Sequence, residues 1–327
     1  MSTTRADCIV YPPEALLPAA WREFPAAGPM RMFNPGLLRE GSGWIFAYRV
    51  VGPDARRRIA LCRLDGGLRV VADSAVPWSD CVQFRAGHPY PEIATRWFAD
   101  PRLYRLANRL FITWNSGWHE PQNHQFVQEL DAATLRPAGP PRELLLSGPR
   151  QKLEKNWTLF GGDGGRVRAI YSIQPHRVLE FSLAGDGDIA FDEVASTDWV
   201  AAAYPKNHGG LRGGAPPFFA GGHYWSFCHS VHDGPAGYRY AAAVYRFAAS
   251  HPFAPTDAPV APLDLAASLR GHRAHPRLNP AVAEVIYPCG AARADGRWLI
   301  SHGINDESAA ISIVAESDVM AAMAPLR

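Results

Sequence analysis

The chain has 327 residues and a nearly balanced charge, +2 with its histidines neutral, which removes the electrostatic case for a nucleic acid or an anionic membrane as partner. No stretch approaches the ~20 apolar residues of a membrane-spanning helix, and Met1 to Asp7 lack the apolar run of a secretory signal. The five cysteines (Cys8, Cys62, Cys81, Cys228, Cys289) are scattered, odd in number and without CxxC spacing, so a disulfide framework or zinc knuckle is not expected and a reduced, cytoplasmic setting is.

Helical periodicity is scarce: the segments expected to be helical are Pro13 to Arg22 near the start and Ser317 to Met323 near the end, both short. Between them, Gly and Pro (29 of each) separate short runs of aromatic and β-branched residues, the pattern of many short strands. One unit recurs: a tight turn, then an alternating strand ending in polar or aromatic groups. It begins at Gly41, Ala107, Gly164, Gly221 and Asp295, a spacing of roughly 55 to 75 residues, enough for one four-stranded sheet with its loops. A second signature precedes each of these strands: Met32–Gly36, Phe98–Arg102, Leu153–Phe160, Leu211–Pro217 and Ile286–Gly290. Pro suits strand starts, where no ladder donor is needed, and Gly lets backbone or ligand approach closely.

A lone four-stranded sheet cannot bury both faces, whereas a ring of them can. The expected fold is therefore all-β: a five-bladed β-propeller with a central axial funnel. It is read as a single domain over 1–327, with blades at about 30–90, 95–145, 150–205, 208–265 and 283–320. The second signature then supplies the innermost strands and aims their polar residues into the funnel. Ser250 to Pro280 reads as an outer strand plus a long loop, and Gly161 to Gly165 as a hairpin turn. A β-sandwich with fortuitous turns is the alternative.

Asp100 is the leading acid/base candidate. Flanked by Trp97 and Phe98, its carboxyl is expected to be partly desolvated, which raises its pKa and suits a general acid; Arg102, on the same face two residues on, opposes that shift. The other reading is an Asp-Pro turn paired with Arg102. Asp306 in Ser301–Glu307 suits sugar hydroxyls or an ordinary Asn-Asp turn. Glu154-Lys155-Asn156-Trp157 sets charged and amide groups beside an indole that is either a stacking face or core. Arg212, among glycines, suits a phosphate or carboxylate, or else binds loop carbonyls. The run Arg56 to Arg58 reads as a solvated turn. His229 with His232, and His119 with His124, lack the spacing and carboxylate partners of a metal site, so no metal and no cofactor are expected.

Asn34-Pro35 with Tyr48-Arg49, Asp100-Pro-Arg102, the Gly-rich Arg212–Pro217 segment, His229 at a strand end and Gly303-Ile-Asn-Asp306 resemble, in order, the funnel motifs of glycoside hydrolase family 130, the mannoside phosphorylases and hydrolases, and of related β-mannosyltransferases. The resemblance implies that Asp100 is the single catalytic acid, protonating the glycosidic oxygen through a sugar hydroxyl with inversion at the anomeric carbon. It implies that Asn34, Arg49, Arg102 and Asp306 hold the sugar, with Arg212 and His229 near the incoming or leaving anion. Lys155, Asn156, Tyr287 and His302 complete the substrate-binding candidates. Three departures weaken inorganic phosphate as acceptor: Ala99 stands where the family has Glu, Gln174 where it has an Arg before Pro, and a Lys ahead of the Gly-rich strand is out of register. The expected function is thus transfer from an activated, nucleotide sugar to a carbohydrate acceptor, making a β-mannoside-type bond. The alternatives are a mannoside phosphorylase or hydrolase, with phosphate as a partner in the first, and a propeller that only binds glycans.

Overall fold

Alternation along each strand decides which neighbour a side chain meets. In Gly43–Val51, Trp44, Phe46, Tyr48 and Val50 enter one apolar cluster while Ile45 and Ala47 enter another. Arg109–Asn115 repeats the division, with Leu110, Ile112 and Trp114 on one side and Phe111 on the other. A strand buried on both faces needs a sheet on each side, and a ring of sheets provides that.

The computed structural model describes residues 7–326 except 24–27, 88–89, 91, 118–121, 152, 162–165, 267–272 and 274. His119 and the turn residues Gly162 to Gly165 lie outside the described residues. The strands group into five antiparallel blades, with short parallel pairings joining two to three (Arg142–Leu146 with Ile189–Thr197) and four to five (Gly237–Ala248 with Val282–Ala294). Blade one holds Arg31–Glu40, Gly43–Val51 and Arg57–Leu64, edged by bridges to Val70 and Val76. Blade two runs Ala99–Leu106, Arg109–Asn115, Gln125–Leu130 and Arg142–Leu146. Thr158–Gly161, Arg166–Ser172, His176–Ser182 and Ile189–Thr197 make blade three. Blade four has two short inner segments, Gly210–Arg212 and Phe218–Ala220, against His223–Gly234, then Gly237–Ala248 and Pro255–Pro259. Blade five runs Val282–Ala294, Arg297–Ile304 and Ser308–Ala315, and its outermost strand is Asp7–Tyr11 from the other end of the chain.

Five apolar cores lie between successive blades. Trp78, Phe98 and Trp114 fill the space between one and two, and Trp157, Phe181 and Phe191 that between two and three. Phe160, Tyr245 and Phe247 lie between three and four, and Trp225, Phe227 and Trp298 between four and five. Tyr11, Phe46, Tyr48, Leu299 and Ile311 join five to one. Together these are the five-bladed propeller.

The helical segments are shorter than expected. Pro13 to Arg22 resolves into one helical turn, Pro13–Leu16, and a 3-10 turn, Ala19–Trp21, separated by Leu17 and Pro18 in extended conformation. The last helix is Glu316–Ala321, and Met323 instead starts a strand, Met323–Pro325, that pairs with Pro255–Pro259 of blade four.

At the axis the inner strands approach closely. A Cβ on Gly290 would lie 2.4 Å from the Leu37 nitrogen, and one on Gly213 would lie 2.1 Å from the Asn156 carbonyl oxygen. Neither site admits a side chain without moving backbone.

Candidate active site

The inner strands do more than converge; they are kinked where they meet the funnel. In blade one Asn34 and Pro35 together oppose a single partner residue, because the register jumps from Phe33↔Arg49 to Gly36↔Ala47. In blade two Asp100 and Pro101 do the same, between Ala99↔Asn115 and Arg102↔Thr113. Such a bulge re-aims a side chain out of the ladder. Asn34 (φ 51°), Asp100 (φ 53°), Asn156 (φ 66°) and Asp306 (φ 58°) are all left-handed. Asn and Asp tolerate that region best, yet each such residue costs on the order of 1 kcal/mol, and strain of this kind gathers at functional sites. All four line one cavity of about 400 Å³.

Asp100 sits at the centre of the polar network. Asn34 Nδ2 donates to its Oδ1 at 2.9 Å, Arg49 lies 3.6 Å from the same oxygen, and Asn115 Nδ2 reaches Oδ2 at 3.4 Å. Burial pushes the Asp100 pKa up, but Arg49, Arg102, the Asn34 amide and Lys155 outweigh it, and the net shift is down. The expected raised pKa is therefore wrong: burial is the largest single influence, but Arg102 is joined by Arg49, Asn34 and Lys155 from elsewhere in the chain and together they exceed it. Asp306 goes the other way. Its burial dominates, Asp100 adds repulsion, and Arg49, Arg273 and Arg57 do not compensate, so its pKa is raised.

More cations line the same cavity. Lys155 is largely desolvated, which lowers its pKa; Asp100 partly offsets this and Arg212 adds to it. Arg212 is exposed at the rim, paired in register with His229. His229 is buried, and burial together with Arg212, Lys155 and Arg102 drives its pKa well below the usual imidazole value, so the ring is neutral. It stacks on Tyr240 with centroids 5.5 Å apart and meets Tyr287 edge-on at 4.6 Å.

Of the residues singled out from sequence, Asn34, Arg49, Asp100, Lys155, Asn156, Arg212, His229, Tyr287 and Asp306 line the cavity. Arg102 lies beneath it, buried, donating to the Gly214 and Asp100 carbonyl oxygens and to the Tyr287 hydroxyl. His302 is outside it: buried in blade five, its Nε2 sits 2.8 Å from Ser312 Oγ, so its candidacy as a substrate ligand is withdrawn. Trp157 is core between blades two and three, its Nε1 donating to Glu154, and is not a stacking face. The Arg56–Arg58 run is also not simply a solvated turn. Arg58 is buried and paired with Asp54, and Arg57 lines the cavity, its guanidinium 4.7 Å above the Trp97 ring. Burial, with Arg49 nearby, lowers the Arg57 pKa to about 10. Tyr240 and the segment 278–285 complete the lining. Nothing in their local sequence marks them, because blade four, the loop after it and the first residues of blade five reach the funnel only through the fold. Among the described residues no group of three or more His, Cys, Asp or Glu is placed to hold a metal ion. No helix among them is long and apolar enough to cross a membrane.

The raised pKa of Asp306 has a testable sign. A carboxyl whose folded pKa is raised contributes stability while protonated at low pH, and that contribution is lost as pH rises through the folded pKa. Asp306→Asn is thus expected to gain in melting temperature over the wild type as pH goes from about 4 to 7, which thermal unfolding at several pH values measures. A gap that shrinks with rising pH contradicts the assignment.

Lining groups thus comprise four cations (Arg49, Arg57, Lys155, Arg212), two carboxyl groups (Asp100, Asp306), a neutral imidazole and three aromatic side chains, Trp97, Tyr240 and Tyr287. That set can hold an anionic group and sugar hydroxyls beside a carboxylate. No protein-family model matches the sequence, and no curated protein does. Solved structures do match. A β-1,2-mannobiose phosphorylase from Listeria innocua, in complex with β-1,2-mannobiose, superposes with TM-score 0.61 at 12% identity, covering 96% of this chain and 98% of that one. A mannose phosphorylase from Leishmania mexicana in complex with a phosphate ion gives 0.52 at 11% identity, over 91% and 87% of the two chains. A GDP-Man-dependent mannosyltransferase from the same organism gives 0.54 at 11% identity, over 90% and 92%. At such identities the likeness speaks for architecture, and in architecture this chain shares its five-bladed propeller fold with mannoside phosphorylases and a mannosyltransferase.

Proposed function

We propose that this protein is an inverting carbohydrate-active enzyme acting on β-mannoside-type linkages, working by transfer from a nucleotide sugar to a carbohydrate acceptor. The observation that carries this reading is the ionised Asp100 facing a cavity with more cations than carboxylates. An ionised carboxylate is in the protonation state that a base requires, and transfer from an activated sugar needs a base. The acceptor oxygen attacks the anomeric carbon from the face opposite the phosphate. The carbon–oxygen bond to phosphate breaks, and its electron pair leaves on the phosphate, where Lys155 and Arg212 stabilise the charge. The acceptor proton passes to Asp100, by way of a sugar hydroxyl. Asn34, Arg49 and Asp306 hold the sugar, and Arg102 supports Asp100 from below.

The names of the structural neighbours support mannose as the sugar and a phosphate-bearing group as its partner. They also favour a second reading in the same cavity, phosphorolysis or hydrolysis of a mannoside, for which Asp100 must start protonated. Incubation with a panel of nucleotide sugars and acceptors, with the product anomer read by NMR, tests the first. An inverted, β-linked product is expected, and Lys155→Ala or Arg212→Ala is expected to raise KM for the donor about tenfold or more, the value of one charge-assisted hydrogen bond. Phosphate-dependent release of mannose 1-phosphate with no transfer replaces the first reading by the second.

A further inference from the structure

Tyr287 lines the cavity with its ring, but its hydroxyl is committed to the protein on both sides. It accepts a hydrogen bond from Arg102 Nη2 at 2.7 Å and donates one to Asn156 Oδ1 at 2.7 Å. The second bond runs from the phenol to the amide oxygen, which the first permits. A guanidinium only donates, so it fills an acceptor position on the hydroxyl and leaves the single phenolic proton for the other partner. Burial holds the Tyr287 pKa well above its ordinary value, so that proton is present at any working pH. The proton must land on an acceptor, which on an amide is the oxygen. The Asn156 Oδ1 is thereby fixed toward Tyr287, which leaves Nδ2, with its two donors, as the end of the amide that can serve the cavity Asn156 and Lys155 both line.

From this geometry we infer that Tyr287 is a positioning residue rather than a substrate ligand: with Arg102 it sets the polarity of the Asn156 amide, so that the wall presents donors to a phosphate-bearing substrate. The inference deepens the proposed function and rests on its placing the substrate anion at Lys155 and Arg212. Arg102 is itself held by the Gly214 carbonyl. The left-handed backbone of Asn156 and the close approach of Gly213 keep the amide within reach of the hydroxyl. Without the hydroxyl, an asparagine amide has no reason to prefer one flip, and half of its orientations put an oxygen against the substrate anion.

The test is Tyr287→Phe in the full chain, read first without substrate. The side-chain amide pair of Asn156, identified by its disappearance in Asn156→Asp, is expected to shift or double in the ¹H–¹⁵N spectrum of Tyr287→Phe. An amide pair that stays single and unmoved overturns the inference. Should Tyr287→Phe fail to fold, a neutron map of the wild type decides instead, and nitrogen rather than oxygen of Asn156 against the Tyr287 hydroxyl overturns it. With the sugar donor, Tyr287→Phe is expected to raise KM about tenfold while kcat falls less, and Asn156→Asp to raise KM further, since it keeps an acceptor for Tyr287 but sets a negative charge against the anion. A Tyr287→Phe enzyme that loses kcat with KM unchanged overturns the positioning role. If the wild type turns over no sugar donor, the proposed function falls while the amide spectrum still decides this inference.

Discussion

Asp100→Asn is expected to lower turnover by about a thousandfold or more while the protein stays folded and still binds its sugar ligand. The magnitude is that of an acid/base group removed from a transition state. The substitution is close to isosteric, so Asn34 Nδ2 keeps an acceptor where Oδ1 stood. What is lost is the proton site and the negative charge between Arg49 and Arg102. The charge loss also has a stability signature. A carboxyl with a lowered folded pKa contributes stability above its unfolded pKa, and that contribution disappears as pH falls through the folded value. Asp100→Asn is therefore less stable than the wild type at neutral pH, and the two converge below the ordinary carboxylate range. Single-turnover kinetics, ligand affinity and melting temperature across pH measure the three effects. Unchanged turnover removes Asp100 from the chemistry. Intact ligand affinity, in a protein whose wild type also turns nothing over, supports a propeller that only binds glycans.

Why Asp100 could be read from sequence while its charge state could not is a matter of range. The Asx-Pro pairs at Asn34 and Asp100 are local signatures: the chain kinks at a bulge, and the kink aims the side chain at the axis. Asn156 and Asp306 were found on other local grounds, a charged and amide run beside an indole and an Asn-Asp pair after a strand. The sign of the Asp100 shift depends on Arg49 and Lys155, each about fifty residues away along the chain, which no local pattern brings together. Arg57 was hidden by its neighbours. Within a run of three arginines one pairs with Asp54 and another packs over Trp97, and only the fold tells them apart. His302 shows the opposite failure: it lies in the right segment but faces into its blade and meets Ser312, because alternate residues of one strand face opposite ways. Tyr287 was found for its place, but its hydroxyl partners, Arg102 and Asn156, come from two other blades and no local pattern names them.

Ring closure was the other feature beyond reach, since Asp7–Tyr11 is short and its partner strand lies at the far end of the chain. Deleting residues 1–11 is expected to lower the melting temperature by about 10 °C or more and to promote aggregation. The strand pairs with Ser308–Ala315 over all five of its residues, and its side chains serve two interfaces at once. Ile9 and Tyr11 pack into the core between blades five and one, and Cys8 into the core between four and five. Tyr11 also packs on Phe46, centroids 5.0 Å apart, and its hydroxyl donates to the Leu68 carbonyl at 2.8 Å, so one side chain ties blade five to blade one. Burying a side chain of this size contributes about 2 kcal/mol, and exposing Ile9 and a five-residue ladder adds more. That is a large part of the 5–15 kcal/mol by which a folded protein typically exceeds its unfolded state. The bared edge, Ser308–Ala315, is rich in Ala, Ile and Val and carries no charge, which makes it a template for another chain. Because Asn34 and Asp306 stand on blades one and five, loosening their junction is expected to weaken sugar binding before the protein unfolds. Thermal unfolding, light scattering and ligand affinity of the truncated chain measure this, and a truncated protein as stable as the full one would mean that the ring is held by its other four interfaces alone.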